Sequence, residues 1–101
     1  MSEVKWAIIT GADGGMGREI TRSVAQAGYR IIMACYNPSK AEIVRQRLIE
    51  ETGNPNLEVM AIDLSSMRSV ASFAGQILER NIPVSLLMNN AGTMETGFHV
   101  T

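Results

Sequence analysis

At 101 residues, 46% hydrophobic and 19% charged with a net charge of −1, the chain has the composition of an ordinary soluble protein with room for one small core. So even a charge balance provides no basic field, and neither a nucleic-acid nor a membrane partner is expected. Cys35 is the single cysteine, which excludes an internal disulfide, and the Met1 end reads as neither a leader nor a membrane span, so a cytoplasmic protein is expected.

Trp6-Ala7-Ile8-Ile9 is the first of four short apolar runs, and the turn Thr10 to Gly17, T-G-A-D-G-G-M-G, follows it at once. A helical stripe of Met16, Ile20, Val24 and Ala27 comes next, and Gly28 stands where that helix should stop. After the second run, residues 31–34, Asn37-Pro38 offers an N-cap and a proline at the first helical position, ahead of Ala41, Val44 and Leu48; Gly53 marks the end. The third run covers residues 57–62, Ser65 or Ser66 caps the helix that carries Val70, Ala74, Ile77 and Leu78, and the fourth run covers residues 84–88.

The runs start 25, 26 and 27 residues apart, so a strand-helix unit repeats. Each run is nearly continuous in apolar residues, the pattern of parallel strands covered on both faces. Right-handed crossovers then give an α/β fold, a Rossmann-like doubly wound parallel sheet of partial order 3-2-1-4 with its switch point between strands 1 and 4. Two helices fall on one face and the third is nearly alone on the other. Half of that face stays bare and strand 4, with Leu86, Leu87 and Met88, is an open edge, so residues 1–101 are expected to be the N-terminal half of a single nucleotide-binding domain.

The glycine-rich turn between the first strand and its helix is where a dinucleotide's phosphates bind. Glycines there permit positive φ and let backbone amides approach a pyrophosphate that the helix dipole favours. Gly11, Gly15 and Gly17 read G-x-x-x-G-x-G, which is not G-x-G-x-x-G, and no Gly-Lys-Ser/Thr closes the loop as in a Walker-type site. Gly11 turns the chain at the strand end, Gly15 and Gly17 start the helix close to the phosphates, and the amides around Met16 point at the pyrophosphate.

With Thr10 ahead of this turn, Asp63 after the third run and Asn89-Asn90-Ala91-Gly92 after the fourth, nearly the whole chain resembles the short-chain dehydrogenase/reductase family. Two mild departures are Asp13, where the family has a small residue, and Met16, where an aliphatic is common. The resemblance implies that Thr10 braces the loop, that Asp63 meets the adenine amino group with Leu64 beside it, and that the backbone of Asn90, Ala91 and Gly92 lies against the adenosine ribose while an Asn side chain ties neighbouring strands. Asp63 in its own right is also a good cap for the turn into the third helix.

The choice between NAD and NADP belongs to the end of the second strand, where a carboxylate binds the ribose 2'-hydroxyl and a base neutralises a 2'-phosphate. By resemblance the acidic slot holds Cys35 and the next position, often Arg in NADP-dependent relatives, holds Tyr36. Asn37, Ser39, Lys40 and the helix N-terminus supply donors, with Arg18 in reach, so NADP is favoured over NAD; Asp13 argues the other way, since a carboxylate repels phosphate. Cys35 itself reads as a small buried apolar residue. Tyr36 and Lys40 have the spacing of the family's catalytic pair but not its place, because Pro38 puts Tyr36 ahead of the helix and the second strand ends at the adenosine side. His99 has no ligand-spaced companion, and no metal is expected.

The resemblance therefore implies an NAD(P)-dependent oxidoreductase that moves hydride between cofactor and a small-molecule carbonyl or alcohol, with this chain supplying the adenosine and pyrophosphate half of the site. No catalytic residue is assigned within it. The family's Ser, Tyr and Lys are expected beyond residue 101, and a homo-oligomer would form through that missing half. A non-catalytic dinucleotide-sensing or interaction module with the same fold is the alternative.

Overall fold

The computed structural model describes residues 4–90. Four strands, β1 (Trp6–Thr10), β2 (Arg30–Cys35), β3 (Leu57–Ala61) and β4 (Val84–Asn89), alternate with three helices, α1 (Gly15–Gln26), α2 (Pro38–Thr52) and α3 (Met67–Glu79). The strands form one parallel sheet in the order β3-β2-β1-β4, the expected arrangement.

The apolar runs are continuous because alternate residues bury on opposite faces. Ala7, Ile9, Ile31, Met33, Cys35 and Leu57 pack with Ala41, Val44 and Leu48 of α2 and Ala25 of α1. On the other face Ile8, Ile32, Ala34, Met60 and Ile62 meet Phe73 and Ile77 of α3. Register pairs Ile8 with Ile32 and Leu87, and Ile9 with Met33 and Met88, so each layer runs straight across the sheet.

The helix ends follow their signals. Asn37 caps α2 by accepting from the Lys40 amide at 3.2 Å, with Pro38 behind it, and Ser66 caps α3 by accepting from the Ser69 amide. The third strand ends one residue earlier than the apolar run, and the Ile62 amide instead bonds the Cys35 carbonyl at 3.0 Å.

Two helical stripes differ from the sequence pattern. In α1 the fully buried residues are Gly17, Thr21 and Ala25, while Ile20 and Val24 are half-buried, Ala27 is exposed and Met16 is 71% exposed. Small residues face inward because α1 leaves the glycine turn almost touching it, and the buried Thr21 hydroxyl is satisfied by the Gly17 carbonyl at 2.7 Å. In α3 the inward residues are Phe73 and Ile77, whereas Val70, Ala74 and Leu78 are exposed. They border an apolar depression of about 400 Å³ that also contains Ile8, Ile62 and Leu87. Among the described residues no element covers Leu87 of β4 on that side.

Candidate dinucleotide site

Chain order reverses about β1, which has β2 on one side and β4 on the other, so a crevice opens at the carboxyl ends of these strands. Gly11 leaves β1 with φ of 62°, a left-handed conformation that a side chain resists, and its amide bonds the Ala34 carbonyl at 2.9 Å. The chain closes on itself through the Gly14 amide and the Gly11 carbonyl at 3.2 Å. A Cβ at Gly17 would overlap that same carbonyl and come within 2.8 Å of Asn90 Nδ2, so only glycine allows α1 to start this close.

Thr10 and Asn90 secure the turn to β4. The Thr10 hydroxyl donates to Asn89 Oδ1 at 2.9 Å, and Asn90 Nδ2 donates to the Gly11 carbonyl at 3.4 Å. Thr10 thus ties β1 to β4, and the contact that reaches the turn comes from Asn90. Ala91 and Gly92 lie outside the described residues, as does His99.

At the start of α1, Gly14 provides no side-chain cap, and the first intrahelical bond runs from the Arg18 amide to the Gly14 carbonyl at 2.7 Å. The Gly15, Met16 and Gly17 amides therefore have no acceptor among the described residues. Three donors at the positive end of a helix, following a glycine-rich turn, suit a pyrophosphate.

Beside this turn lies a cavity of about 490 Å³. It brings together Gly11, Asp13, Tyr36, Asn37, Lys40, Asp63 and Leu64, all named from the sequence, and adds Ala34, Ile62 and Ser65. Gly15, Met16, Gly17 and Asn90 do not line it but meet the turn that does, Gly17 and Asn90 lying against the Gly11 carbonyl, and Arg18 and Ser39 do not line it either. Arg18 instead buries its Nε with no hydrogen-bond partner among the described residues. Ala34 and Ile62 are walls that charge and motif reasoning passes over; their signal is their place at the carboxyl ends of apolar runs.

Asp63 accepts from the Ser65 hydroxyl at 2.7 Å and the Ser65 amide at 3.0 Å, and these bonds hold its carboxyl below the usual range. Its own amide donates to Ser69 Oγ at 2.8 Å, so Asp63 orders the turn into α3 while Ser66 caps the helix. Cys35 is buried, and burial first, then the Asp13 charge beside it, push its thiol up to about 12. It is an inert, protonated thiol, in keeping with its reading as a core residue. Tyr36 projects outward, 77% exposed, at the rim of the cavity. No cluster of metal-ligating side chains occurs among the described residues.

The family profile of short chain dehydrogenase matches residues 5–100. The chain belongs to the short-chain dehydrogenase family. It is 38% identical over 97 residues to the WW domain-containing oxidoreductase of Gallus gallus, which covers 96% of this chain and 23% of that protein. In structure it is similar to the menthone neomenthol reductase from Mentha piperita, with a TM-score of 0.81 and 30% identity over 90% of this chain and 32% of that one. The alcohol dehydrogenase from the archaeon Thermococcus sibiricus, complexed with 5-hydroxy-NADP, superposes with a TM-score of 0.73 at 32% identity, covering 84% of this chain and 36% of that one. The chain spans about a quarter of the length of the curated relatives it matches.

Proposed function

We propose that this short-chain dehydrogenase segment forms the adenosine and pyrophosphate half of a site for a nicotinamide dinucleotide, in an oxidoreductase acting on a carbonyl or alcohol. The observation that carries this reading is the cavity lined by Gly11 and Asp13 of the glycine turn and by Asp63, together with the amides at the start of α1 that follow the same turn and have no acceptor among the described residues. The relatives' names, oxidoreductase and reductase, support the reaction class, and the 5-hydroxy-NADP held by the archaeal enzyme supports the cofactor.

The Gly15, Met16 and Gly17 amides hold the pyrophosphate, Asp63 and Leu64 receive the adenine, and Tyr36, Asn37 and Lys40 border the ribose. The bound cofactor supplies hydride chemistry; these residues fix its position. NADP is preferred to NAD, since β2 ends on uncharged Cys35-Tyr36 and Lys40 brings a cation to the same cavity. The Ser, Tyr and Lys of the family's catalytic pattern are assigned to polypeptide beyond residue 101, in keeping with the share of its relatives that the chain spans.

Calorimetric titration of NADP and NAD into the folded chain tests the reading. Saturable binding of NADP, with weaker NAD, is expected. Absence of binding by either dinucleotide at millimolar concentration would remove the basis for the assignment.

A further inference from the structure

Dinucleotide folds ordinarily present an acid at the end of β2 to the ribose 2'-hydroxyl. Here that strand ends on Cys35, whose side chain is 1% exposed and turned into the core beneath α1 and α2. Nothing on β2 itself can receive the hydroxyl. The chain does bring a carboxylate to the same place, but from another element. The glycine turn is bonded to the end of β2 through the Gly11 amide and the Ala34 carbonyl, and Asp13 of that turn lines the cavity together with Tyr36.

Lys40, in the first turn of α2, lines the same cavity, and its amide is held by Asn37 Oδ1 at 3.2 Å. Its ammonium joins none of the ion pairs among the described residues, which all use Arg22, Arg45 or Arg80. One cavity therefore contains a carboxylate and an ammonium that are not paired with each other.

We propose that Asp13 on the glycine turn takes over the role of the missing β2 acid and accepts the ribose 2'-hydroxyl, while Lys40 binds a 2'-phosphate, so that the site admits both forms of the dinucleotide. The inference rests on the dinucleotide reading of the cavity. A 2'-phosphate is drawn to Lys40 and repelled by Asp13; a 2'-hydroxyl donates to Asp13 and gains little from Lys40.

The test uses 5'-AMP and 2',5'-ADP, the adenosine halves of NAD and NADP, titrated calorimetrically into the chain at low salt. Asp13→Asn should raise the preference for 2',5'-ADP over 5'-AMP by about tenfold, and Lys40→Met should lower it by a similar factor. Asp13→Ser provides a second neutral variant, and circular dichroism checks that each remains folded. If both nucleotides bind and neither Asp13 variant moves their ratio, Asp13 does not read the ribose, and the nucleotide site itself stands. If neither nucleotide binds to folded protein, the dinucleotide reading fails and this inference fails with it.

Discussion

Gly15 and Gly17 stand two residues apart at the start of α1, yet their surroundings are opposite. A Cβ at Gly17 overlaps the Gly11 carbonyl, which is backbone and cannot swing aside, whereas a Cβ at Gly15 meets nothing within 4 Å. Gly17→Ala is therefore expected to cost about 1–3 kcal/mol of stability by overpacking, and Gly15→Ala to stay within about 1 kcal/mol because alanine is the better helix former. Chemical denaturation of the two variants checks the contrast; equal stabilities would mean that α1 does not rest on the turn. The sequence announced this cluster of glycines but not which one bears the contact, because that depends on where the Gly11 carbonyl points after the turn is made. A second residue-scale consequence concerns Cys35. Its thiol titrates in the fold at about 12 against an ordinary 9.0, so the folded state keeps a proton that the unfolded state releases. Stability from this group is complete below pH 9 and is lost as pH rises toward 12. Cys35→Ala should flatten that alkaline decline relative to the parent, measured as the difference in denaturation midpoint across pH 8–10. An identical pH slope in parent and variant would show that the thiol is not perturbed.

At the scale of elements, the strands were legible because burial on both faces leaves uninterrupted apolar runs, and α2 was legible because Asn37, Pro38 and Gly53 punctuate it. The inward faces of α1 and α3 were less so. In α1, closeness to the sheet selects Gly17, Thr21 and Ala25 over the larger Ile20 and Val24, and apolar periodicity does not register a buried threonine or glycine. In α3, Val70 and Leu78 follow a helical period toward an uncovered region, which the periodicity alone cannot tell from a core. Long-range polar contacts are invisible for a related reason: Asn54 Nδ2 donates to both the Ala25 and Tyr29 carbonyls at 2.9 Å and fastens the end of α2 to the end of α1, which no local pattern encodes. Asn54→Ala leaves both carbonyls without this partner in a partly buried setting, and a loss of about 1–3 kcal/mol is expected by denaturant titration. By contrast, replacing Arg80, whose bidentate pair with Glu58 is about half exposed, should cost less than about 1 kcal/mol. A smaller loss at Asn54 than at Arg80 would mean that solvent already satisfies those carbonyls.

The two faces of the whole sheet are unequal. One is roofed by α1 and α2, and the other carries α3 alone against residues of β1, β2 and β3, leaving Leu87 65% and Leu78 75% exposed beside the apolar depression of about 400 Å³. β4 is also an edge strand, paired on one side only with β1 among the described residues. Leu86 escapes this exposure by turning to the α1 side, so the liability concentrates on Leu87, Leu78 and Val70. An apolar patch joined to an unpaired strand edge is the usual starting point for association. The 101 residues on their own are therefore expected to self-associate with rising concentration, and Leu87→Lys to suppress this by placing a charge at the edge without disturbing the buried layers. Sedimentation velocity over a range of concentrations measures both. A parent chain that sediments as a monomer throughout would show that α3 and the existing edge are sufficient cover, and the open face would then carry no consequence for the isolated chain.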